Sequence, residues 1–441
     1  MLTQDELRKF YRSFSGKREQ PLEPDDPCYV PLFEESTDPI RELWQRIDWV
    51  ESESVHLLTG YRGNGKSTEL KRLKRLLETE SNSECTVFLV DMLEYVFPTK
   101  PIYISDFIVS LMSALEHAAK NITTGGKIGS FFTDRWKRFI NFLNTEIKLE
   151  TFNIKLPSAL ELGGILKTDQ IFKERIRECF AGRITKLIDE AGVFVADLVE
   201  KIQNGNPEQK VVILVDSLEQ LRGVGENAKL LYDSVLELFS GQARNLHFHK
   251  LHIVYTIPPY LPALAQNTGR GLGGNPVTRW PNIHVRNKEG EPDIDGLKMM
   301  ESIVEKRYAA WKDVTPPDFL HKFAMCSGGD IRNFFRLLRE TAIKLVNAIE
   351  HNKNAQSDEQ IAVRVIQDLK NEFSLIAEKD AKWLAKIHKS KKESLEDIDL
   401  IQDLARFLDN NLIMNYRNGE DWVDVHPLIV EEINRISPEK G

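Results

Sequence analysis

Gly60-Tyr61-Arg62-Gly63-Asn64-Gly65-Lys66-Ser67 follows the short apolar run Val55-His56-Leu57-Leu58-Thr59 and leads into a helix-like stretch, 67–80. It fits G-x-x-x-x-G-K-[ST] between a strand and a helix, the context that gives such a glycine-rich turn its meaning. The glycines let successive backbone N–H groups curl around phosphate oxygens, and the helix N-terminus adds a positive partial charge. Lys66 is the cation placed to hold β- and γ-phosphates, and the Ser67 hydroxyl is the expected Mg²⁺ ligand. Gly60, Gly63, Asn64, Gly65, Lys66, Ser67 and Thr68 are therefore the candidate ATP-binding residues.

A phosphate loop needs a further acid at the end of another buried strand to organise the metal. Val211-Val212-Ile213-Leu214-Val215-Asp216 supplies it: a continuous apolar run marks a strand covered on both faces, with Asp216 at the C-terminal edge where ligands bind. Asp216 is the second candidate Mg²⁺ ligand. Glu219, three residues on, is the acid placed to polarise an attacking water, although a carboxylate there could equally be one that opens a helix. Further apolar runs at 87–90 and 251–257 alternate with helical patterns, which argues for an α/β domain with a parallel sheet.

These elements sit in a chain of 441 residues with 41% hydrophobic and 29% charged residues, enough for real cores and several domains. The net charge of −8 argues against bulk electrostatic binding to nucleic acid while leaving room for a local basic patch. Cys28, Cys85, Cys179 and Cys326 are scattered, with no CxxC pair, and read as thiols of a reducing compartment. With no signal-like N-terminus and no apolar run of membrane-spanning length, the expected location is cytoplasmic, with no membrane partner. The expected organisation is an N-terminal extension over 1–50, an ATPase core over 51–295, a helical lid over 296–355 and a C-terminal domain over 356–441. Lys66 and Asp216 are 150 residues apart, so a helical insertion is expected over about 120–200. Gly125-Gly126 and an alternating segment over 147–156 interrupt that insertion, and Ser357-Asp358-Glu359-Gln360 reads as a capping box.

The phosphate loop together with Asp216-Ser217-Leu218-Glu219 resembles the NACHT-type, or more broadly STAND, branch of P-loop ATPases. It is also similar to the AAA+ initiator ATPases of origin recognition. Leu251-His252-Ile253-Val254-Tyr255-Thr256-Ile257 resembles the sensor-1 strand of both groups. That likeness implies Thr256 as a polar residue near the γ-phosphate, with an ordinary strand threonine as the alternative. Ser327-Gly328-Gly329-Asp330-Ile331-Arg332 resembles the sensor-2 segment of the initiators, which implies that Arg332 reaches back over the nucleotide. The alternative is an exposed arginine at a helix start. Arg270 and Arg279 lie where an arginine finger falls in these groups, in a loop that also tolerates solvated arginines. Guanine specificity is not expected, since Asn287-Lys288-Glu289-Gly290 lacks the aspartate of an NKxD element.

Towards the C-terminus, two helical stretches over about 372–388 and 395–410 precede Leu412-Ile413-Met414-Asn415-Tyr416-Arg417, an Asn418-Gly419 turn and Trp422-Val423-Asp424-Val425. Helix, helix, hairpin is the outline of a winged helix. The stretch 395–411 carries Glu396, Asp397, Asp399, Asp403 and Asp409 against Arg406 alone, which disfavours a phosphate-lined groove. Lysines 382, 386, 389, 391 and 392 could touch a backbone or form a solvated linker. The resemblance implies an ATP-binding, ATP-hydrolysing switch that works as a homo-oligomer or with a separate effector protein, in bacterial signalling or phage defence. A DNA-associated initiator, loader or transposition-type ATPase, and an ATP-binding scaffold with negligible turnover, are the alternatives.

Overall fold

The computed structural model describes residues 2–122, 127–148, 157–265, 268–351, 357–373, 376–393 and 400–437. Five parallel strands form the central sheet: β1 (Ser54–Gly60), β2 (Cys85–Asp91), β3 (Lys210–Asp216), β4 (Leu251–Ile257) and β5 (Thr278–Trp280). Their order is β2-β3-β4-β1-β5, with every pair parallel. All strands therefore end along one edge, where the loops that follow β1, β3 and β4 meet.

β1, β3 and β4 are buried at every position, which is why apolar residues predominate in them and why β3 carries an unbroken apolar run, Val211–Val215. Their alternation serves two cores. Val212 and Leu214 face a layer with Ile40, Leu43, Leu70 and Leu73 from the helices Pro39–Asp48 and Lys66–Thr79. Val211, Ile213 and Val215 face the opposite, larger core. That core is closed by helices running from Ile104 to Gln203 between β2 and β3, so the helical insertion starts directly behind β2. Its Gly125-Gly126 break lies outside the described residues, as does the alternating segment from 149 onward.

A third cluster belongs to the helices Ile294–Arg307, Pro317–Ser327 and Ile331–His351. It includes an N-terminal helix, Gln4–Ser13, inside what was expected to be an extension over 1–50. Thr3 and Glu6 cap this helix reciprocally, and Phe14 packs on Phe335 at 5.3 Å. Further on, Asp358 rather than Ser357 caps the helix Glu359–Lys370: its carboxylate accepts from the Ile361 N–H at 2.9 Å.

The C-terminal elements are the helices Glu378–Ser390 and Ile401–Asp409, the hairpin β6 (Ile413–Asn418) and β7 (Glu420–Val425), and the helix Val430–Ile436. This is a winged helix. The expected start near 372 falls instead on a 3₁₀ turn, Asn371–Phe373, which continues the preceding helix. Glu396, Asp397 and Asp399 lie outside the described residues. Asp424 binds His388 at 2.6 Å and Lys391 at 2.7 Å, which ties the end of the first helix to β7. Among the described residues no helix is long and apolar enough to cross a membrane.

At the other end of the sheet the Ser54 hydroxyl sits between His252 Nδ1, at 2.9 Å, and His56 Nε2, at 3.0 Å. Burial drives both imidazoles down to about 4 from an ordinary 6.5. Below pH 6.5 the unfolded chain takes up protons that the folded state refuses until about pH 4. Stability should therefore fall through this window, by on the order of 1 kcal/mol per pH unit per histidine. Urea midpoints between pH 7.5 and 4.5 measure it. His56→Gln should flatten the slope, and an unchanged slope would refute the assignment.

Candidate nucleotide-binding site

The turn after β1 needs glycine for two separate reasons. Gly63 and Gly65 have φ of +82° and +92°, where a Cβ is strained. A Cβ on Gly63 would also stand 2.8 Å from both Cβ and Nε of Arg332. Trp280 at the end of β5 braces the loop: its indole N–H donates to Asn64 O at 2.8 Å, and Asn64 Nδ2 donates to Trp280 O at 3.2 Å. Asn64, expected at the nucleotide, thus has a bracing partner as well.

Lys66 is 3% exposed and donates to Tyr61 O, with Glu219 Oε1 3.8 Å away. Burial lowers the proton affinity of its amine, while Glu219 and Asp216 oppose that shift. Asp216 is pushed up by burial first and by the neighbouring Glu219 second; a hydrogen bond from Ser67 pulls the other way. Two buried carboxylates thus share one lysine, and Glu219 Oε2 has no hydrogen-bond partner. The pair is short of positive charge. A divalent cation on Ser67 and Asp216 suits this shortage. Among the described residues there is no group of three or more His, Cys, Asp or Glu that could hold a metal ion.

Thr256 lies beside these residues at 0% exposure, but its hydroxyl is engaged. It donates to Val215 O at 3.2 Å and accepts from the Leu218 N–H at 3.0 Å, which holds the turn between Asp216 and Glu219. Ser217 in that turn has φ +71°. Thr256 therefore fixes the carboxylates rather than lining the cleft.

The cleft of about 460 Å³ is lined by Gly63, Gly65, Lys66, Ser67, Thr68 and Glu219. It is also lined by residues that sequence reading did not single out: Tyr29, Val30 and Leu32 from the N-terminal segment, with Ile303 and Phe335 from the helices Ile294–Arg307 and Ile331–His351. The N-terminal segment is strapped across by hydrogen bonds. Leu22 N donates to Thr68 Oγ1 at 3.0 Å, and Tyr29 OH donates to Glu69 at 3.1 Å. Lys306 binds Tyr29 O at 2.7 Å. No local pattern marks these residues, because their role comes from what lies opposite.

Arg332, at the start of the helix Ile331–His351, lines the cleft over Gly63. Arg279 does not join it. β5 places it beside Thr59, Gly60, Tyr61 and Glu393 around a separate small void. The Arg270 side chain lies outside what the structure describes.

No family model matches the sequence, and no curated protein matches it. Among solved structures, the chain is similar to the Aeropyrum pernix ORC2 protein in its ADP form, with a TM-score of 0.43, 9% identity, and coverage of 96% of this chain and 97% of that one. It is also similar to the Aeropyrum pernix ORC1 protein in complex with DNA, at a TM-score of 0.37, 13% identity, and 97% and 96% coverage.

Gly63→Ala should weaken nucleotide affinity at least tenfold, since its methyl must displace Arg332 and the positive φ is strained. Calorimetric titration of the folded variant with Mg²⁺-ATP checks it, and unchanged affinity would mean that neither the turn nor Arg332 matters for binding.

Proposed function

We propose that the chain is an ATP-binding, ATP-hydrolysing molecular switch of the STAND/AAA+ kind. The observation that carries this reading is one cleft in which Lys66, Ser67, Glu219 and Arg332 converge, with Asp216 hydrogen-bonded to Ser67. Lys66 and the loop amides bind the β- and γ-phosphates, and Arg332 adds charge from the lid side. Ser67 and Asp216 would hold Mg²⁺, which when bound supplies charge neutralisation on the phosphate oxygens. Glu219 Oε2, buried and without a partner, orients the attacking water and accepts its proton. The apolar wall of Val30, Leu32, Ile303 and Phe335 suits the flat face of a base, and the absence of an NKxD element favours adenine. Because the cleft lies between the core and the lid helices, ATP and ADP would favour different lid positions. The switch would act as a homo-oligomer or through a separate effector protein, in bacterial signalling or phage defence.

Lys66→Ala should abolish ATP binding measured by calorimetry with Mg²⁺, since it removes the ammonium that faces the phosphates. Unchanged affinity would rule out the loop as the site. Glu219→Gln should bind ATP normally yet slow hydrolysis by about 10²-fold or more, because an amide cannot take the proton. Normal turnover in that variant would move the role of base to another residue.

The winged helix supports a packing role over duplex binding, because Lys391 is already paired with Asp424 and is half-buried. Reversing the charge of Lys389 and Lys392 should leave duplex affinity, read by fluorescence anisotropy, within about twofold. A tenfold loss with a flattened salt dependence would instead favour a DNA-associated initiator or loader.

A further inference from the structure

We infer that Arg62 is a triphosphate-sensing residue held in check by Asp409, so that filling the loop with a triphosphate releases the winged helix. This rests on the nucleotide-switch reading above and adds the relay that would carry the switch.

Arg62 lies within the phosphate loop and lines the cleft beside Gly63 and Lys66. Its guanidinium does not rest in the cleft unpaired: Nη2 donates to Asp409 Oδ1 at 2.7 Å, with the two side chains only 17% and 2% exposed. The other Asp409 oxygen accepts from the Gly223 N–H at 2.9 Å and from Tyr232 OH at 3.1 Å. Gly223 lies four residues beyond Glu219. One carboxylate of the C-terminal domain therefore grips both the phosphate loop and the segment that follows the candidate base.

Helix stability does not explain an acid at this position. Asp409 is the last residue of the helix Ile401–Asp409, the end whose partial charge is negative and which favours cations. Burial pushes its carboxyl up, and the Arg62 guanidinium is the foremost opposing influence. Arg62 is thus the chief partner that makes a buried acid tolerable here. A second contact reaches the third phosphate-facing element: Tyr416 OH of the hairpin donates to Gly328 O at 2.8 Å, four residues before Arg332. The winged helix thus touches the loop of Lys66, the segment after Glu219 and the turn before Arg332.

A guanidinium matches a phosphate as well as it matches a carboxylate, and a triphosphate brings more charge to the loop than a diphosphate. Arg62 cannot serve both partners in full. When it turns to the phosphate, Asp409 loses its ion-pair partner and keeps two neutral donors and the weaker influence of Arg222, which disfavours the docked domain. Reciprocity then requires docking to weaken triphosphate binding by the same factor by which triphosphate weakens docking.

Calorimetry on the full chain, with Mg²⁺-ADP and with a slowly hydrolysed ATP analogue, tests this on wild type, Asp409→Asn, Arg62→Gln and the double variant. Asp409→Asn should tighten analogue binding about tenfold and leave ADP within about twofold. The double variant should lose that gain, because the freed guanidinium is gone. An unchanged analogue-to-ADP ratio in Asp409→Asn, or a gain that survives in the double variant, overturns the inference alone. Wild type that binds neither nucleotide overturns the proposed function and this inference with it. Should Asp409→Asn fail to fold, amide exchange on wild type decides: the analogue should speed exchange in 401–409 about tenfold over ADP, and equal exchange overturns the relay.

Discussion

Everything in the site depends on one buried ammonium facing two buried carboxylates. Lys66, Asp216 and Glu219 come from the ends of β1 and β3, which are not neighbours: β4 lies between them. Charge at that depth is tolerated only when it is paired, and removing one member of such a set costs about 3–5 kcal/mol. The parallel register of the sheet makes the pairing possible, since β1 and β3 run the same way and, matched through their shared neighbour β4, end within two residues of each other. The hydroxyl of Thr256 on that intervening strand then bridges Val215 and Leu218, so the middle strand sets the spacing between the acids. The sheet order, more than any single residue, makes a site of the loop.

The second constraint is the N-terminal strap. Glu69 in the loop helix is buried at 2% exposure and holds Tyr29 on one side and Arg72, at 2.6 Å, on the other. Arg72 in turn binds Asp38 at 2.6 Å, and Asp38 caps the helix Pro39–Asp48. A chain of alternating charges thus runs from the wall of the cleft to the back of the sheet. The first turn of the loop helix lines the cleft with Lys66 and Ser67 and holds the N-terminal strap through Thr68 and Glu69.

How much of this was legible in sequence follows from how local each cause is. The phosphate loop, the Asp216 strand, the hairpin with its Asn-Gly turn and the Arg332 helix start each depend on residues a few positions apart, and all four are found where their spacing put them. β5 escaped notice because it is three residues long and flanked by a glycine-rich loop, with no apolar run to mark it. Arg279 was one of two candidates for an arginine finger, with a solvated arginine as the alternative; strand pairing beside Gly60 places it at a separate void. The N-terminal helix, the strap and the base-facing wall rest on partners up to about three hundred positions away, as in Lys306 with Tyr29. Periodicity within a window cannot carry such information.

The acidic character of the second winged-helix helix takes on a different meaning in three dimensions. As a composition, 395–411 argues only against a phosphate-lined groove. In the fold its described acids are spent individually: Asp403 pairs with Arg406 at 3.3 Å, and Asp409 is buried against Arg62, Gly223 and Tyr232. A helix that used its acids to keep away from DNA would leave them in solvent. One that buries its final carboxylate against Arg62, Gly223 and Tyr232 is, at that residue, complementary to its own chain. At Asp409, then, the negative charge belongs to an intramolecular contact, which an argument from the charge of the segment alone does not reveal.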